Sequence, residues 1–374
     1  MQITSGIPFF GLARQYNNIR EETLEAIDGV LKTGLLVDGP YTKDLEDYIA
    51  ENTGSNYAVT VGSGTQALEM FANYIATNML PTRDTTVLIP SMTYIATAHA
   101  FVKAGFKIEF VDVDQYGIIS PEYISRLDRK FYVIVPVGLY GASLTDVLRD
   151  KKWAFLHSCV FVADAAQNWL CPSEPSIDIG GAISFDPTKN LGNNGNAGAI
   201  YTNSLSVKIY AQEWRANKPI SVHNGLSKGH CATNSRISES DAAVLLVKAS
   251  YINDWQERRK SIASYWIKRF ENTKIKTLID ASNFKKHSFH KFVINADIHR
   301  DSLQLFLTEK GIETRIHYSE PLHELYPTIK GPGMLSTAST LSRRILSLPF
   351  YPELTDAEVE YIADAVVEFA ANKM

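Results

Sequence analysis

Three short segments carry residue types that could act together on one small molecule. Gly62-Ser63-Gly64-Thr65-Gln66-Ala67-Leu68 lies where an apolar β-branched run, Tyr57–Val61, hands over to a helical pattern. Glycines let the backbone approach an anion, and a helix N-terminus offers free N–H groups and a positive dipole end. Phosphate would be welcome at Gly64, Thr65 and Gln66, although a tight turn without a ligand uses the same residues. Val160-Phe161-Val162-Ala163-Asp164-Ala165-Ala166-Gln167 is an apolar strand ending in a carboxylate. In an open α/β sheet that strand end is where ligands bind, so Asp164 is either the partner of a cation or a helix N-cap. Ala182–Gly192 contains a strand that Pro187 stops and a lysine, Lys189, on the turn that follows. Partial burial lowers a lysine's pKa and makes it a Schiff-base nucleophile, whereas most lysines are solvated.

The order of these groups matters more than any one of them. A glycine turn, a strand-end Asp and a strand-end Lys match the phosphate, the ring nitrogen and the aldehyde of pyridoxal 5'-phosphate (PLP). That cofactor acts as an electron sink only when its pyridinium nitrogen has an acidic partner.

The elements that must position these residues are legible as strands alternating with helices. Tyr57–Val61, Thr86–Ile89, Lys107–Val111, Phe131–Val137 and Val160–Ala163 read as strands. Thr65–Ala76 and Thr93–Lys103 read as helices between them. Continuous apolar strands alternating with helices predict an α/β layer built on a mostly parallel sheet. After residue 203 the pattern changes. Leu205–Arg215 and a long stretch, Ser238–Phe270, read as helical, with Ser238 and Asp241 as a helix start. His290–Ile294 and Glu313–His317 read as strands around a helix at Arg300–Lys310, and Thr355 caps a final helix at Asp356–Ala371. The boundary expected from this change divides the chain into a large domain, 1–250, and a smaller C-terminal α+β domain, 251–374.

Composition narrows the class. The chain has 374 residues, 45% hydrophobic content and a formal net charge of -4. No clustered basic surface points to nucleic acid, and no apolar run reaches the roughly 20 residues a bilayer span needs. Met1–Leu12 lacks the basic and apolar regions of a secretory signal. Cys159, Cys171 and Cys231 are odd in number and irregularly spaced, which fits buried thiols in a reducing cytosol better than disulfides or a zinc site. The expectation is a cytoplasmic enzyme without a metal.

Beyond these segments the chain resembles the DegT/DnrJ/EryC1/StrS family of PLP-dependent nucleotide-sugar aminotransferases over nearly its whole length. Gly34–Pro40, Pro90–Thr97, Asp164–Gln167, Ser184–Asn190, Asn234-Ser235-Arg236 with Asp241–Ala243, Thr314–Tyr318 with Pro321–His323, and Leu346–Pro349 are similar to its motifs and occur in its order. The resemblance implies the aspartate-aminotransferase type (type I) fold and transfer of an amino group, commonly from glutamate, to a keto sugar carried on a nucleotide. It implies that Lys189 holds the cofactor covalently and shuttles protons, and that Asp164 keeps the ring nitrogen protonated. Gln167 would bond near the phenolic oxygen, Tyr94 would stack on the ring, and Thr65, Gln66 and Ser184 would contact the phosphate. Asn234 would reach the cofactor of a second subunit, which makes the expected assembly a homodimer with shared sites. His317, Tyr318 and His323 would lie towards the sugar, or are simple strand-end polar residues. Arg236 is a candidate clamp for the donor carboxylate or a structural ion-pair partner. The sequence departs from the family pattern at Asn196, Ala163, Trp169 and Ser235. Sugar dehydratases of the same fold carry a histidine in place of the lysine, so Lys189 counts against that alternative. Retention of both Asp164 and Lys189 counts against a non-catalytic regulatory homologue.

Overall fold

Short apolar strands whose alternate residues face opposite helical layers build the frame. The computed structural model describes residues 6–80, 85–120, 124, 133–144, 159–171, 179–218, 232–329 and 333–373. Seven strands form the large sheet: β1 (Tyr57–Val61), β2 (Thr86–Pro90), β3 (Lys107–Val111), β4 (Val133–Ile134), β5 (Val160–Asp164), β6 (Gly180–Ser184) and β7 (Gly198–Thr202). Their order is β1-β7-β6-β5-β4-β2-β3. The run from β6 to β3 is parallel, and β7 pairs antiparallel with both β1 and β6. Of the expected strand Phe131–Val137, only 133–137 lie among the described residues, and Val133–Ile134 form the ladder there.

Helices cover both faces of this sheet. Before β1 come α1 (Leu12–Asn18), α2 (Arg20–Thr33) and α3 (Pro40–Thr53); α4 (Gly64–Asn78), α5 (Ala96–Lys103) and α6 (Leu205–Arg215) follow β1, β2 and β7. Val87 and Ile89 join Phe71, Phe101 and Trp214 in one core, while Leu88 between them joins Leu45, Ile49 and Leu245 in the other. Successive strand residues point to opposite faces, so an all-apolar strand feeds two cores at once.

The expected single helix over 238–270 is two: α7 (Glu239–Ser250) and α8 (Ile252–Phe270), meeting at Tyr251. Tyr251, at φ -99° and ψ -6°, is both the C-cap of α7 and the N-cap of α8, and its N–H bonds back to Lys248 and Ala249. Apolar periodicity runs through this corner, which is why the sequence pattern does not reveal it. Glu239, buried in the first turn of α7, accepts from the backbone N–H groups of Gly39, Tyr41 and Thr42 at 2.9, 2.9 and 3.0 Å and so caps α3. A carboxylate at a helix N-terminus satisfies orphan donors and the dipole together.

A second sheet, order β10-β9-β8, joins β8 (Lys276–Thr277), β9 (Phe292–Asn295) and β10 (Ile345–Leu348). It packs with α8, α9 (Arg300–Glu309) and α12 (Asp356–Lys373) around Trp266, Phe292, Leu303, Ile362 and Phe369. Between α9 and α12 in the chain, α10 (Leu322–Leu325) and α11 (Ser336–Arg344) are anchored just past the ends of β2 and β3, where Leu322 N–H donates to the Ser91 carbonyl at 2.7 Å and Ala338 N–H to Asp112 Oδ1 at 2.9 Å. Glu313–His317, expected as a strand, makes only an isolated bridge from Arg315 to Ser347. Arg315 and His317 of that segment line the cavity described next. Thr355 caps α12 as expected, with Glu358 N–H donating to its Oγ1 at 3.2 Å and Glu358 accepting from Thr355 N–H at 2.9 Å.

Candidate active site

The loops at the carboxyl ends of β5 and β6 and the start of α4 enclose a cavity of about 410 Å³. Gly64, Thr65, Tyr94, Asp164, Gln167, Ser184, Lys189, His317 and Tyr318 all line it. Four other residues singled out in the sequence lie elsewhere.

At one end, Ser63 caps α4 by accepting from Gln66 N–H at 3.1 Å. Gly64 is required there by close approach, since a Cβ would sit 2.7 Å from the Ser184 Cβ. The helix start is thereby pressed against the end of β6, and Thr65 and Ser184 share one wall of the cavity. The first N–H groups of a helix have no partner within the helix, so this corner is a built anion cradle.

Asp164 closes β5 and is 5% exposed. Its Oδ2 accepts from Thr97 Oγ1 at 2.7 Å and its Oδ1 from Ala166 N–H at 3.2 Å. Burial raises its pKa; the Thr97 and Ala166 hydrogen bonds and the charge of Lys189 pull the other way. Among the described residues it has no ion pair. Gln167 accepts from Tyr140 N–H at 2.9 Å and is held from below by Ser288 Oγ, which donates to its carbonyl at 2.9 Å. Tyr94 is 55% exposed at the mouth, its ring 6.2 Å from that of Tyr318.

Lys189 sits on a turn tied at several points. Asp186 accepts from Thr188 N–H at 3.0 Å and from Thr188 Oγ1 at 2.6 Å, and Lys189 N–H donates to the Asp186 carbonyl at 2.8 Å. Gly192 passes so close to this turn that a Cβ would meet the Pro187 carbonyl oxygen at 2.4 Å. From α7, Lys248 Nζ donates to the Gly192 carbonyl at 2.7 Å, and Asp241 accepts from Asn193 Nδ2 at 2.7 Å. Asn190 Nδ2 donates to Gln256 of α8 at 2.9 Å and to the Ser288 carbonyl at 2.5 Å. The lysine residue is part-exposed, but burial of its ammonium holds its pKa below the ordinary lysine value against the opposing charges of Asp164 and Asp186. A lowered pKa leaves more of the neutral, nucleophilic amine.

On the far wall, the His317 carbonyl accepts from the buried Tyr140 hydroxyl, and its Nδ1 lies 2.9 Å from Ser347 Oγ. Burial, then the charges of Lys291 and Arg315, pushes His317 down to about 3, so the ring is neutral. Tyr318 is pushed up by burial and by the Asp164 charge, so it is a proton donor at any ordinary pH.

Four residues lie outside the cavity. Gln66 turns its side chain to Ser235, whose hydroxyl donates to Gln66 Oε1 at 2.7 Å and accepts from Gly62 N–H at 2.9 Å. Ser235, a departure from the family pattern, thus braces the glycine turn from behind. Arg236 is exposed and pairs with Asp38 at 3.2 Å, which is the structural ion-pair alternative rather than a clamp inside this chain's own cavity. Asn234 is exposed beside it. His323 lies between Ser91 Oγ and Ser339 Oγ, the latter 3.1 Å away, and pins α10 against the end of β2. Trp169, another departure, is 5% exposed and packs edge-on against Phe185, 5.8 Å between ring centroids. Phe10, His290, Lys291 and Arg315 also line the cavity and were given no role from the sequence. Thr97, which holds Asp164, carried none either. Arg315 lies inside the Thr314–Tyr318 motif and Lys291 inside the expected strand at 290–294, so their segments were visible and their partners were not.

This donor set fits PLP. Asp164 is a buried carboxylate held by neutral donors, and a cationic ring nitrogen would supply the charge it lacks. The Gly64–Thr65–Ser184 cradle suits a phosphate, and Lys189 suits an aldehyde. Among the described residues no group of His, Cys, Asp and Glu could hold a metal ion.

Residues 17–367 match the model of the DegT/DnrJ/EryC1/StrS aminotransferase family. The chain is 31% identical over 379 residues to a pleiotropic regulatory protein of Geobacillus stearothermophilus, covering 97% of this chain and 98% of that protein. It is 29% identical over 378 residues to the dTDP-3-amino-3,4,6-trideoxy-alpha-D-glucose transaminase of Streptomyces venezuelae, covering 98% and 97%. Among solved structures, DesV of S. venezuelae in complex with a ketimine intermediate superposes with a TM-score of 0.89 at 29% identity, covering 99% of this chain and 100% of that one.

Proposed function

The chain belongs to the DegT/DnrJ/EryC1/StrS aminotransferase family, and from that premise we propose that it is a PLP-dependent aminotransferase that moves an amino group, from glutamate, to a keto sugar carried on a nucleotide. The observation that carries the reading is the meeting of Asp164, Lys189 and the α4 cradle in one cavity, from segments far apart in sequence. The α/β fold with its mostly parallel sheet is the aspartate-aminotransferase type.

In this reading Thr65 and Ser184 hold the phosphate, Asp164 the ring nitrogen and Lys189 the aldehyde, with Tyr94 and Gln167 against the ring. Bound PLP supplies an electron sink for the pair left when a substrate carbon loses its proton. The chain supplies the rest. Lys189, with its lowered pKa, takes and returns that proton at Nζ. Thr97 and Ala166 keep Asp164 aimed and ionised. His317 and Tyr318 face the sugar, and Tyr318 enters as a hydrogen-bond donor.

The assembly proposed is a homodimer with shared sites. Leu31 in the last turn of α2 and Leu35, Leu36 and Val37 in the segment that follows are 59, 50, 49 and 42% exposed, ahead of Asp38, which pairs with Arg236. Large apolar side chains exposed so close together in the chain support an interaction face. In this proposal a second copy covers these residues, and Asn234, exposed beside Arg236, reaches the partner's cofactor. We also propose the division into a large domain, 1–250, and a small one, 251–374. Among the described residues no helix is long and apolar enough to cross a membrane; a cytoplasmic location is part of the proposal.

A visible absorbance spectrum with and without glutamate tests the first half of the reaction. A panel of nucleotide-linked 3-keto and 4-keto sugars then tests the second. No spectral response to any amino donor would remove the reading in favour of a dehydratase or a regulatory protein.

A further inference from the structure

We propose that Lys291 and Arg315 form the subsite for a substrate carboxylate, carried either by the amino donor or by an acidic sugar. The proposal rests on the aminotransferase reading and adds a site to it. Lys291 is 9% exposed and lies on the cavity wall next to His290, just ahead of β9. Arg315 lines the same cavity from the segment that bridges to Ser347. Both cations lie over the same two rings. Lys291 Nζ is 5.7 Å from the Phe9 centroid and 5.4 Å from that of Phe10; Arg315 Cζ is 5.3 and 4.8 Å from them.

Neither cation meets a carboxylate among the described residues. The charged groups that act on Lys291 are Lys189, Arg259 of α8, Asp186 and Arg315, with His290 and His317 also feeling its charge. Only Asp186 is acidic; its Oδ1 accepts two hydrogen bonds from Thr188, and among the described residues it makes no ion pair with Lys291. Burial and the neighbouring positive charges bring Lys291 down to about 7. A buried ammonium without an anion is costly, and ring faces offset only part of that cost. A carboxylate arriving between Lys291 and Arg315 would neutralise both and raise the Lys291 pKa again. An amino donor must bring its nitrogen to the cavity that holds Lys189, so its carboxylates must be bound in that same cavity. Arg236, the other arginine considered for this role, is engaged by Asp38.

The test is calorimetric titration of the holoenzyme at pH 6 and fixed ionic strength with three probes: glutarate for an amino-acid donor, D-glucuronate for an acidic sugar, and pyrophosphate as a control anion. Wild type is expected to bind one of the carboxylates. Lys291→Met should weaken that binding about tenfold or more, since a charge-assisted hydrogen bond is lost, and Lys291→Arg should recover most of it. Arg315→Gln, an exposed position, should weaken the same probe and decides the matter if Lys291→Met does not fold. Weakened glutarate binding assigns the site to the donor, and weakened glucuronate binding assigns it to the sugar. No carboxylate binding by wild type, affinities unchanged in the variants, or a loss that includes or is confined to pyrophosphate overturns the proposal. Failure of the aminotransferase reading shows separately, as a wild-type spectrum that no amino donor changes.

Discussion

Thr97 Oγ1 donates a 2.7 Å hydrogen bond to the Asp164 carboxylate, joining the first turns of α5 to the end of β5 across 67 residues of sequence. The bond lowers a pKa that burial raises. Thr97→Val should therefore push the Asp164 pKa up, reduce kcat/KM about tenfold or more, and move the acid limb of the pH–rate profile to higher pH. Thr97→Ser should restore both. A Val variant with the wild-type profile would remove Thr97 from the site.

Lys189→Ala should abolish covalent attachment of the cofactor and transamination together. The turn is held by Asp186, Gly192 and Asn190 through groups other than the ammonium, so the fold should persist. Absorbance and turnover of the purified variant are the readouts. Wild-type turnover would sink the central assignment.

Asp164→Asn keeps shape and most hydrogen bonding but loses the charge that a pyridinium nitrogen needs. The rate should fall more than about 100-fold, about 2.7 kcal/mol of barrier, while some cofactor still binds. Steady-state kinetics within a few-fold of wild type would contradict this.

Asn234→Ala should raise the PLP dissociation constant about 10- to 150-fold, from the loss of a hydrogen bond to a charged group. Mixing Asn234→Ala chains with Lys189→Ala chains tests the shared site. If Asn234 acts across the dimer, one site of the mixed dimer keeps both residues, and about half the activity returns. No recovery from a mixed dimer shown to form would reject the shared site.

His287 links stability to pH. It is 5% exposed, its Nδ1 accepts from Phe289 N–H at 2.9 Å, and its Nε2 has no hydrogen-bond partner among the described residues. Burial lowers its pKa from 6.5 to about 3. Between those values the unfolded chain binds the proton and the folded one does not. The stability contribution is therefore present above pH 6.5 and lost as pH falls through the window, by at most about 1.4 kcal/mol per pH unit. Urea midpoints measured from pH 6.5 to 5 should fall less steeply in His287→Asn, whose amide oxygen can still accept from Phe289. Parallel slopes would show that His287 does not titrate on unfolding.

The sequence by itself determined what local rules govern. Apolar strand runs, helix starts at Ser238 and Thr355, the glycine turn, and the strand-end positions of Asp164 and Lys189 all follow from residues within a few positions of one another. Order along the chain then sufficed to match three groups to three parts of one cofactor. The tertiary structure decided which side chains face one another. Thr97 of α5 meets Asp164 at the end of β5, Asn190 meets Gln256 of α8 and Ser288, and Lys291 and Arg315 come to lie over the same two rings, Phe9 and Phe10. The same long-range choice took Gln66 to Ser235, Arg236 to Asp38 and His323 to Ser91. It also turned the helical run at Tyr251 and kept 313–317 out of the ladder. Periodicity reports which face of an element is apolar; the partner of a polar atom is set by packing between elements, and short-range pattern carries no trace of it.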